Sequence, residues 1–237
     1  MHMQNIVASI LCHNDIIYLE HMIPKLQGVC DKIIVVDDMS TDGTDEYLKG
    51  ITNLTHIKNK FEFDFATQRN ISLNYVSLGD WVIRIDSDEL PTSPLLSGLR
   101  DVAEDLDSVN ADRAFTKIYN LTSESKVKDE VGVELRLFKY VPGCKWEDKT
   151  HERLTGSWPG MCAYLPKEYG LVHFKFWDKN KVNETNRAYV DNGIYDKYHW
   201  EFRKNSADIN LPSFVDYEIS DSLKTYLNNS KEIITNV

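Results

Sequence analysis

Two carboxylates set two residues apart, Asp86 and Asp88, close the apolar run Trp81-Val82-Ile83-Arg84-Ile85. Residues two apart on an extended segment point to one face. Paired carboxylates at a strand tip make a hard-cation site. Mg²⁺ or Mn²⁺ takes oxygen ligands there and completes its shell with substrate phosphates. A lone Asp-x-Asp triplet is more often an acidic loop or a helix cap, so its surroundings decide. A second pair, Asp37-Asp38, ends the run Ile33-Ile34-Val35-Val36 and opens the turn Met39-Ser40-Thr41-Asp42-Gly43-Thr44. Carboxylates placed there can accept hydrogen bonds from a nucleobase N–H or from ribose hydroxyls. The bland alternative is a solvated turn.

The elements around these residues are readable. Ile6 to Leu11 is a short β-branched run and predicts a buried strand. His13-Asn14-Asp15 interrupts it, and Asp15 is placed to cap the next helix. In that helix Ile16, Leu19, Ile23 and Leu26 recur at helical spacing, and Gly28 falls near its end. Ile33 to Val36 predicts a second strand, Asp45 to Lys49 a short helix, and Leu54 to Lys58 a third strand. Phe65 to Leu78 predicts a helix, and Trp81 to Ile85 a strand broken by Pro91 and Pro94. Strands alternating with helices predict an α/β fold, a single Rossmann-like domain whose mostly parallel sheet carries helices on both faces. Ligands in such folds bind beyond the carboxyl ends of strands. Those ends carry His13-Asn14, Asp37-Asp38 and Asp86-Ser87-Asp88.

After about Asp107 the pattern changes. Arg113 to Leu121 and Val131 to Tyr140 read as strands joined by a charged turn, Ser123 to Glu130. Lys145 to Leu154 is irregular. Leu171 to Phe176 reads as a last strand, and Lys179 to about Arg203 as an aromatic-rich helix. The expected division is 1–175 for the main domain, with halves 1–107 and 108–175, and 176–237 for a helical extension packed on it. Phe174, Phe176, Trp177, Tyr189, Tyr195, Tyr198 and Trp200 would suit a sugar-stacking platform, although core packing explains such spacing more often.

Composition narrows the partners. The 237 residues suit one substantial core. A net charge of -10 repels nucleic acid and anionic lipid, so neither is an expected partner. A phosphate-bearing ligand would need local help from a cation. Cys12, Cys30, Cys144 and Cys162 form no Cys-x-x-Cys pair, which argues against zinc and suits reduced thiols. No signal-like start and no run near ~20 apolar residues is present, so the expectation is a cytoplasmic protein.

Taken in order, these motifs resemble glycosyltransferase family 2 with the GT-A fold. Ile33 to Thr44 resembles the family's nucleotide-binding signature, which usually has glycine where this chain has Met39. Ala66-Thr67-Gln68-Arg69-Asn70 resembles its Ala-Arg-Asn helix start, with two extra residues between Ala66 and Arg69. Asp80 to Glu89 resembles its DxD strand. Arg136-Leu137-Phe138, Trp146 and His151-Glu152-Arg153-Leu154 resemble a block of the lipopolysaccharide-core and cell-wall branch.

The resemblance implies an inverting, divalent-metal-dependent transfer from a nucleotide sugar, such as UDP-glucose, to a hydroxyl of a glycan or glycoconjugate. In it Asp37 or Asp38 reads uracil and ribose, and Arg69 lies near the base. Asp86 touches ribose or the metal-bound phosphate, Asp88 ligates Mn²⁺ or Mg²⁺, and His173 joins the metal or diphosphate. His13, Asn14 and Ser87, at the same strand ends, complete the expected nucleotide-binding set. Glu152 is the candidate general base, taking the proton of the attacking hydroxyl. His151 orients it or meets the acceptor. Glu147 and Asp148 are rivals for the base, and a surface ion pair of Glu152 with Arg153 is the bland alternative.

Two other functions compete. A sugar-1-phosphate nucleotidyltransferase needs a Gly-rich loop after the first strand, where this chain has Cys12-His13-Asn14-Asp15. A non-catalytic nucleotide-sugar-binding protein would keep the pocket and lose turnover.

Overall fold

Four runs of branched apolar residues build the parallel part of one eleven-stranded sheet. They are β1 (Ile6–Cys12), β2 (Lys32–Asp37), β3 (Leu54–Lys58) and β4 (Trp81–Asp86). The computed structural model describes residues 4–128, 132–178, 180–181, 207–213 and 215–230. Spatial order is β3-β2-β1-β4, so Ile10 of β1 has Val35 on one side and Ile85 on the other. The direction of winding reverses between β1 and β4, and a crevice opens at the carboxyl end of such a switch point.

The expected helices α1 (Ile16–Gln27), α2 (Thr44–Lys49) and α3 (Phe65–Leu73) connect these strands. Period-two alternation sorts the strand residues onto two cores. Ala8, Ile10, Ile33, Val35, Ile83 and Ile85 face α1, whose Leu19, Met22, Ile23 and Leu26 are buried there. Val7, Ile34 and Val82 face Ala66 and Leu73 of α3 and the Phe138–Trp146 edge-to-face pair.

Past β4 the sheet gains an antiparallel half, built in part from the two strands expected at 113–121 and 131–140. It holds β5 (Glu89–Pro91), β6 (Ala111–Ser123), β7 (Lys126–Lys128) and β8 (Gly132–Lys139). Short connections such as the Glu124-Ser125 turn allow antiparallel neighbours, whereas parallel ones need a long crossover. β8 runs antiparallel between β4 and β6. On the far edge of β6 lie β11 (Met161–Tyr164) and β12 (Gly170–His173), both parallel to it. β12 also pairs with β5. Residues 145–154, expected to be irregular, form the two-stranded β9 (Lys145–Glu147) and β10 (Arg153–Thr155).

Several boundaries differ from expectation for identifiable reasons. Pro94 does not break the chain but sits in the first turn of an unforeseen helix, α4 (Ser93–Ser108), where its missing N–H costs nothing. α3 stops at Leu73, because Asn74 caps it and the chain turns through Gly79 at φ 93°. Tyr75 and Leu78 therefore lie outside. The last predicted strand ends at His173, and Phe174–Phe176 is a 3₁₀ turn. Of the expected 179–203 helix, all but Asn180 and Lys181 lies outside the described residues. Further on, β13 (Asp208–Asn210) pairs with β7, and α5 (Asp221–Asn229) buries Leu223 and Leu227 in the α1 core. Among the described residues no helix is long and apolar enough to cross a membrane.

The loops at the crevice are tied to one another by side chains. Asp15 does not cap α1 with its carboxylate; Asp42, from the loop after β2, accepts the Ile16 N–H at 2.9 Å instead. Asn14 accepts from the Thr41 N–H at 2.7 Å and donates its own N–H to Ser40 Oγ at 2.8 Å. Met39, at the position where the resembling family has glycine, holds φ 48° and is exposed. Left-handed backbone costs an L-residue roughly 1–2 kcal/mol, and glycine escapes that cost while losing more entropy on folding. Met39→Gly is expected to stabilise the fold by about 0.5–1 kcal/mol, measured as a higher urea midpoint at unchanged slope.

Candidate active site

A cavity of about 810 Å³ opens at the switch point. Its floor is the tips of β1 and β4, its near wall the loop after β2, and its rim an aromatic segment before α3. Asp37 and Asp38 take different roles there. Asp37 is fully buried, and its carboxylate accepts from Ser40 N–H at 3.0 Å and Ser40 Oγ at 2.5 Å, with His56 Nε2 at 3.3 Å. It shapes the turn and does not line the cavity. Asp38 does line it. Its Oδ1 accepts the Phe61 N–H at 2.8 Å, and Oδ2 lies 3.4 Å from His13 Nδ1. His13 Nδ1 also approaches the Asp38 carbonyl at 2.6 Å, so it carries the proton. His13 and Asn14 both line the cavity.

The opposite wall holds the Asp86 to Asp88 segment. The two carboxylates were expected on one face of an extended chain, but the chain turns at Ser87-Asp88, with Glu89 Oε2 accepting the Asp86 N–H at 2.9 Å. Each carboxylate therefore meets its own partners. Asp88 Oδ2 lies 3.2 Å from His173 Nε2 and 3.9 Å from Lys181 Nζ. Burial opposes the charge on Asp88, but Lys181 and His173 hold its carboxyl below the usual range. His173 is likewise disfavoured as a cation by burial, yet Asp88 outweighs this and raises its pKa. Lys181 Nζ donates to Asp15 Oδ1 at 2.5 Å, and Ser87 Oγ donates to Asp15 Oδ2 at 2.5 Å.

Among the described residues no three His, Cys, Asp or Glu side chains gather as a metal cage. What the wall offers is a two-donor set, Asp88 and His173, with Asn120 Oδ1 at 3.0 Å from His173 Nδ1 fixing the ring. A carboxylate and an oriented imidazole suit a divalent ion that draws its other ligands from substrate phosphates and water. Binding it would release the imidazole's second proton.

Arg69 stands where this cavity meets a second one, of about 680 Å³. Its Nη2 donates to Asp86 Oδ1 at 2.9 Å and its Nε to Glu152 Oε1 at 2.8 Å. Arg69, Asp86 and His173 line both cavities, while Glu152 and His151 line only the second. Glu152 is partnered by Arg69, not by Arg153. The rivals Glu147 and Asp148 pair with Arg153 at 3.1 and 3.6 Å and line neither cavity. His151 is exposed and holds φ 56°. Arg136 adds a second cation behind Asp86, with Nη1 3.5 Å from Asp86 Oδ2 and Nη2 2.6 Å from Glu89 Oε1. Burial works against the charge on Asp86, but Arg69, Arg136 and Arg84 hold its carboxyl well below the usual range. Burial pushes Glu89 up to about 7, Arg136 notwithstanding.

Sequence reasoning missed three contributors. Phe61, Phe63 and Phe65 line the first cavity, with Phe61–Phe65 centroids 4.6 Å and Phe61–Phe63 5.4 Å apart. Their every-second-residue spacing was the available signal. Lys181 carried none beyond its charge, and Arg136 stood in the Arg136-Leu137-Phe138 motif without a role assigned to it. Of the aromatic residues considered for a platform, Phe174 and Trp177 are buried in the α1 core and Phe176 lines the second cavity. Tyr189, Tyr195, Tyr198 and Trp200 lie outside the described residues.

A carboxylate-lined crevice at the reversal point of an open α/β sheet is where this class of fold binds its ligands. The chain belongs to glycosyl transferase family 2, whose profile it matches over residues 10–167. No curated protein matches it. Three solved structures are similar to it at low identity. S. aureus TarS 1-349 shares 22% identity over 51% of this chain and 37% of its own, with a TM-score of 0.42. TarS 1-349 in complex with UDP shares 20% over 52% and 40%, with a TM-score of 0.42. S. aureus TarS shares 22% over 51% and 23%, with a TM-score of 0.43. The chain thus spans less than half the length of each.

Removing Arg69 leaves Asp86 and Glu152 without their shared cation. Breaking a buried ion pair from one side costs roughly 3–5 kcal/mol, and Arg69→Met is expected to lose that much at neutral pH. Asp86 has a depressed folded pKa, so its stabilisation is present above the unfolded value near ~3.9 and fades as pH falls through the folded one. The gap between Arg69→Met and wild type should therefore narrow below about pH 4 in urea titrations. A constant gap would place the cost in lost packing.

Proposed function

We propose that the protein is an inverting, divalent-metal-dependent glycosyltransferase that moves a sugar from a UDP-sugar to a hydroxyl of a glycan or glycoconjugate. One observation carries this reading: two cavities share the wall of Arg69, Asp86 and His173, and Glu152 lies on one side of it only. The first cavity is assigned to the donor. Asp38 would accept from uracil or ribose, and the Phe61–Phe65 aromatics would flank the base. The second is assigned to the acceptor. Asp88 and His173 would hold Mn²⁺ or Mg²⁺, which neutralises charge on the departing diphosphate.

The acceptor oxygen forms a bond to the anomeric carbon from the second cavity while the bond to the nucleoside diphosphate breaks on the first. Glu152 takes the hydroxyl proton as that oxygen attacks. Arg69 holds Glu152 in place until then. His151 lies on the acceptor side and would position the acceptor. Four unpaired cysteines accord with activity in the cytoplasm.

Two variants separate binding from turnover. Asp88→Ala is expected to remove the Mn²⁺-dependent part of UDP binding in calorimetry; unchanged affinity with Mn²⁺ would rule out that role. Glu152→Gln is expected to bind UDP as wild type does and lose about 10²–10⁴-fold in transfer rate. Wild-type turnover in that variant would move the base elsewhere. A wild-type protein that binds UDP-sugars with Mn²⁺ yet neither transfers nor hydrolyses them would be a binding protein.

A further inference from the structure

The second cavity is basic in an otherwise acidic protein. Arg84 on β4, Arg136 on β8 and Arg113 on β6 come from three adjacent strands and line it together. Two of these guanidiniums are more than nine-tenths buried, and each has a donor without a partner among the described residues: Nε of Arg84 and Nε of Arg136. Arg69, at the shared wall, has a third such donor, Nη1. Buried N–H groups left unpaired are costly, and a charged donor more so. The three buried arginines also repel each other. Burial, then Arg136 and Arg69, pulls Arg84 down to about 10.

Carboxylates in the cavity partner each buried guanidinium but leave these donors over. Glu134 accepts from Arg84 at 2.5 Å and approaches Arg136 at 3.0 Å, Glu89 accepts from Arg136, and Asp86 and Glu152 accept from Arg69. Arg113 stands at the more open part, its guanidinium 4.8 Å above the Trp158 ring and 3.1 Å from Asp112. Its own side chain is 28% exposed, so it is reachable from solvent. A neutral sugar hydroxyl needs no such concentration of guanidinium groups. A phosphate or carboxylate does, because both match the flat, forked donor geometry of arginine.

We propose that the acceptor carries an anionic group, a phosphate or a carboxylate, that seats against Arg84, Arg113 and Arg136 and so presents its hydroxyl to Glu152. This rests on the transferase reading and names its acceptor class. Binding of the anion occupies guanidinium donors that the carboxylates leave over, so an acceptor without the anion binds far more weakly.

The test uses the full chain saturated with UDP and Mg²⁺, which fills the donor cavity. Glycerol 3-phosphate, glycerate and glycerol are titrated in turn while the arginine Nε–H resonances are followed by NMR. Saturable shifts are expected with glycerol 3-phosphate or glycerate, whichever anion the cavity fits, and none with glycerol. Arg113→Gln, at a partly exposed position outside the core, is expected to weaken the effective anion about tenfold. UDP that binds while neither anion shifts any arginine sinks this inference and leaves the transferase reading intact. An anion that binds Arg113→Gln as tightly as wild type also sinks it. UDP that fails to bind at all removes both.

Discussion

One buried guanidinium joins the two halves of this site. Arg69 reaches from α3 to the carboxylate at the tip of β4 and to the carboxylate just before β10. Those acids come from segments far apart in the chain, and each would repel the other in a shared low-dielectric space. A cation between them makes their closeness favourable and fixes both orientations. The position of Arg69 follows from α3, whose start is set by the Asp64 side chain capping Thr67 N–H at 2.9 Å. Asn70, the next residue, holds the other partner: its side chain accepts from the Trp146 N–H at 2.8 Å and donates to the Trp146 carbonyl at 2.9 Å. The short helix thus docks the β9–β10 unit against the sheet and brings Glu152 to the shared wall.

The chemistry is distributed by the pleat of the sheet. Alternate residues of β4 send Trp81, Ile83 and Ile85 into the α1 core, and Val82 into the α3 core. Arg84 shares the Val82 side, and its guanidinium lies 5.3 Å from the Trp146 ring centroid. Purely apolar packing on one face anchors the strand, so the other face can carry arginines and carboxylates at its end.

The parallel half was legible in the sequence because each strand is a run of β-branched residues ended by polar ones. Asp38, Asp88, His173 and Glu152 were legible because they end strands or stand in motifs. Other features were hidden for physical reasons. Asp37 and Asp38 look equivalent in sequence, and only the fold sends one inward to Ser40 and the other to the cleft. The capping of α1 by Asp42 spans 26 residues, beyond any local pattern. α4 was masked by Pro94, whose meaning depends on whether it falls at a helix start. The antiparallel half depends on tertiary pairing of β6 with four partners. The pairing of Lys181 with Asp15 joins residues 166 apart.

That last contact reaches from beyond the family-matched part of the chain back to the loop after the first strand. Its ammonium, 5.2 Å from the centre of the Tyr18 ring, offsets Asp15 and Asp88 on the cleft wall. A fragment ending at Trp177 would lose β13 and α5 but retain the rest of the sheet and every residue of the family match. It would also leave Asp15 without its ammonium and Asp88 with His173 alone. The boundary of recognition by sequence is therefore not the boundary of the charge balance at the cleft.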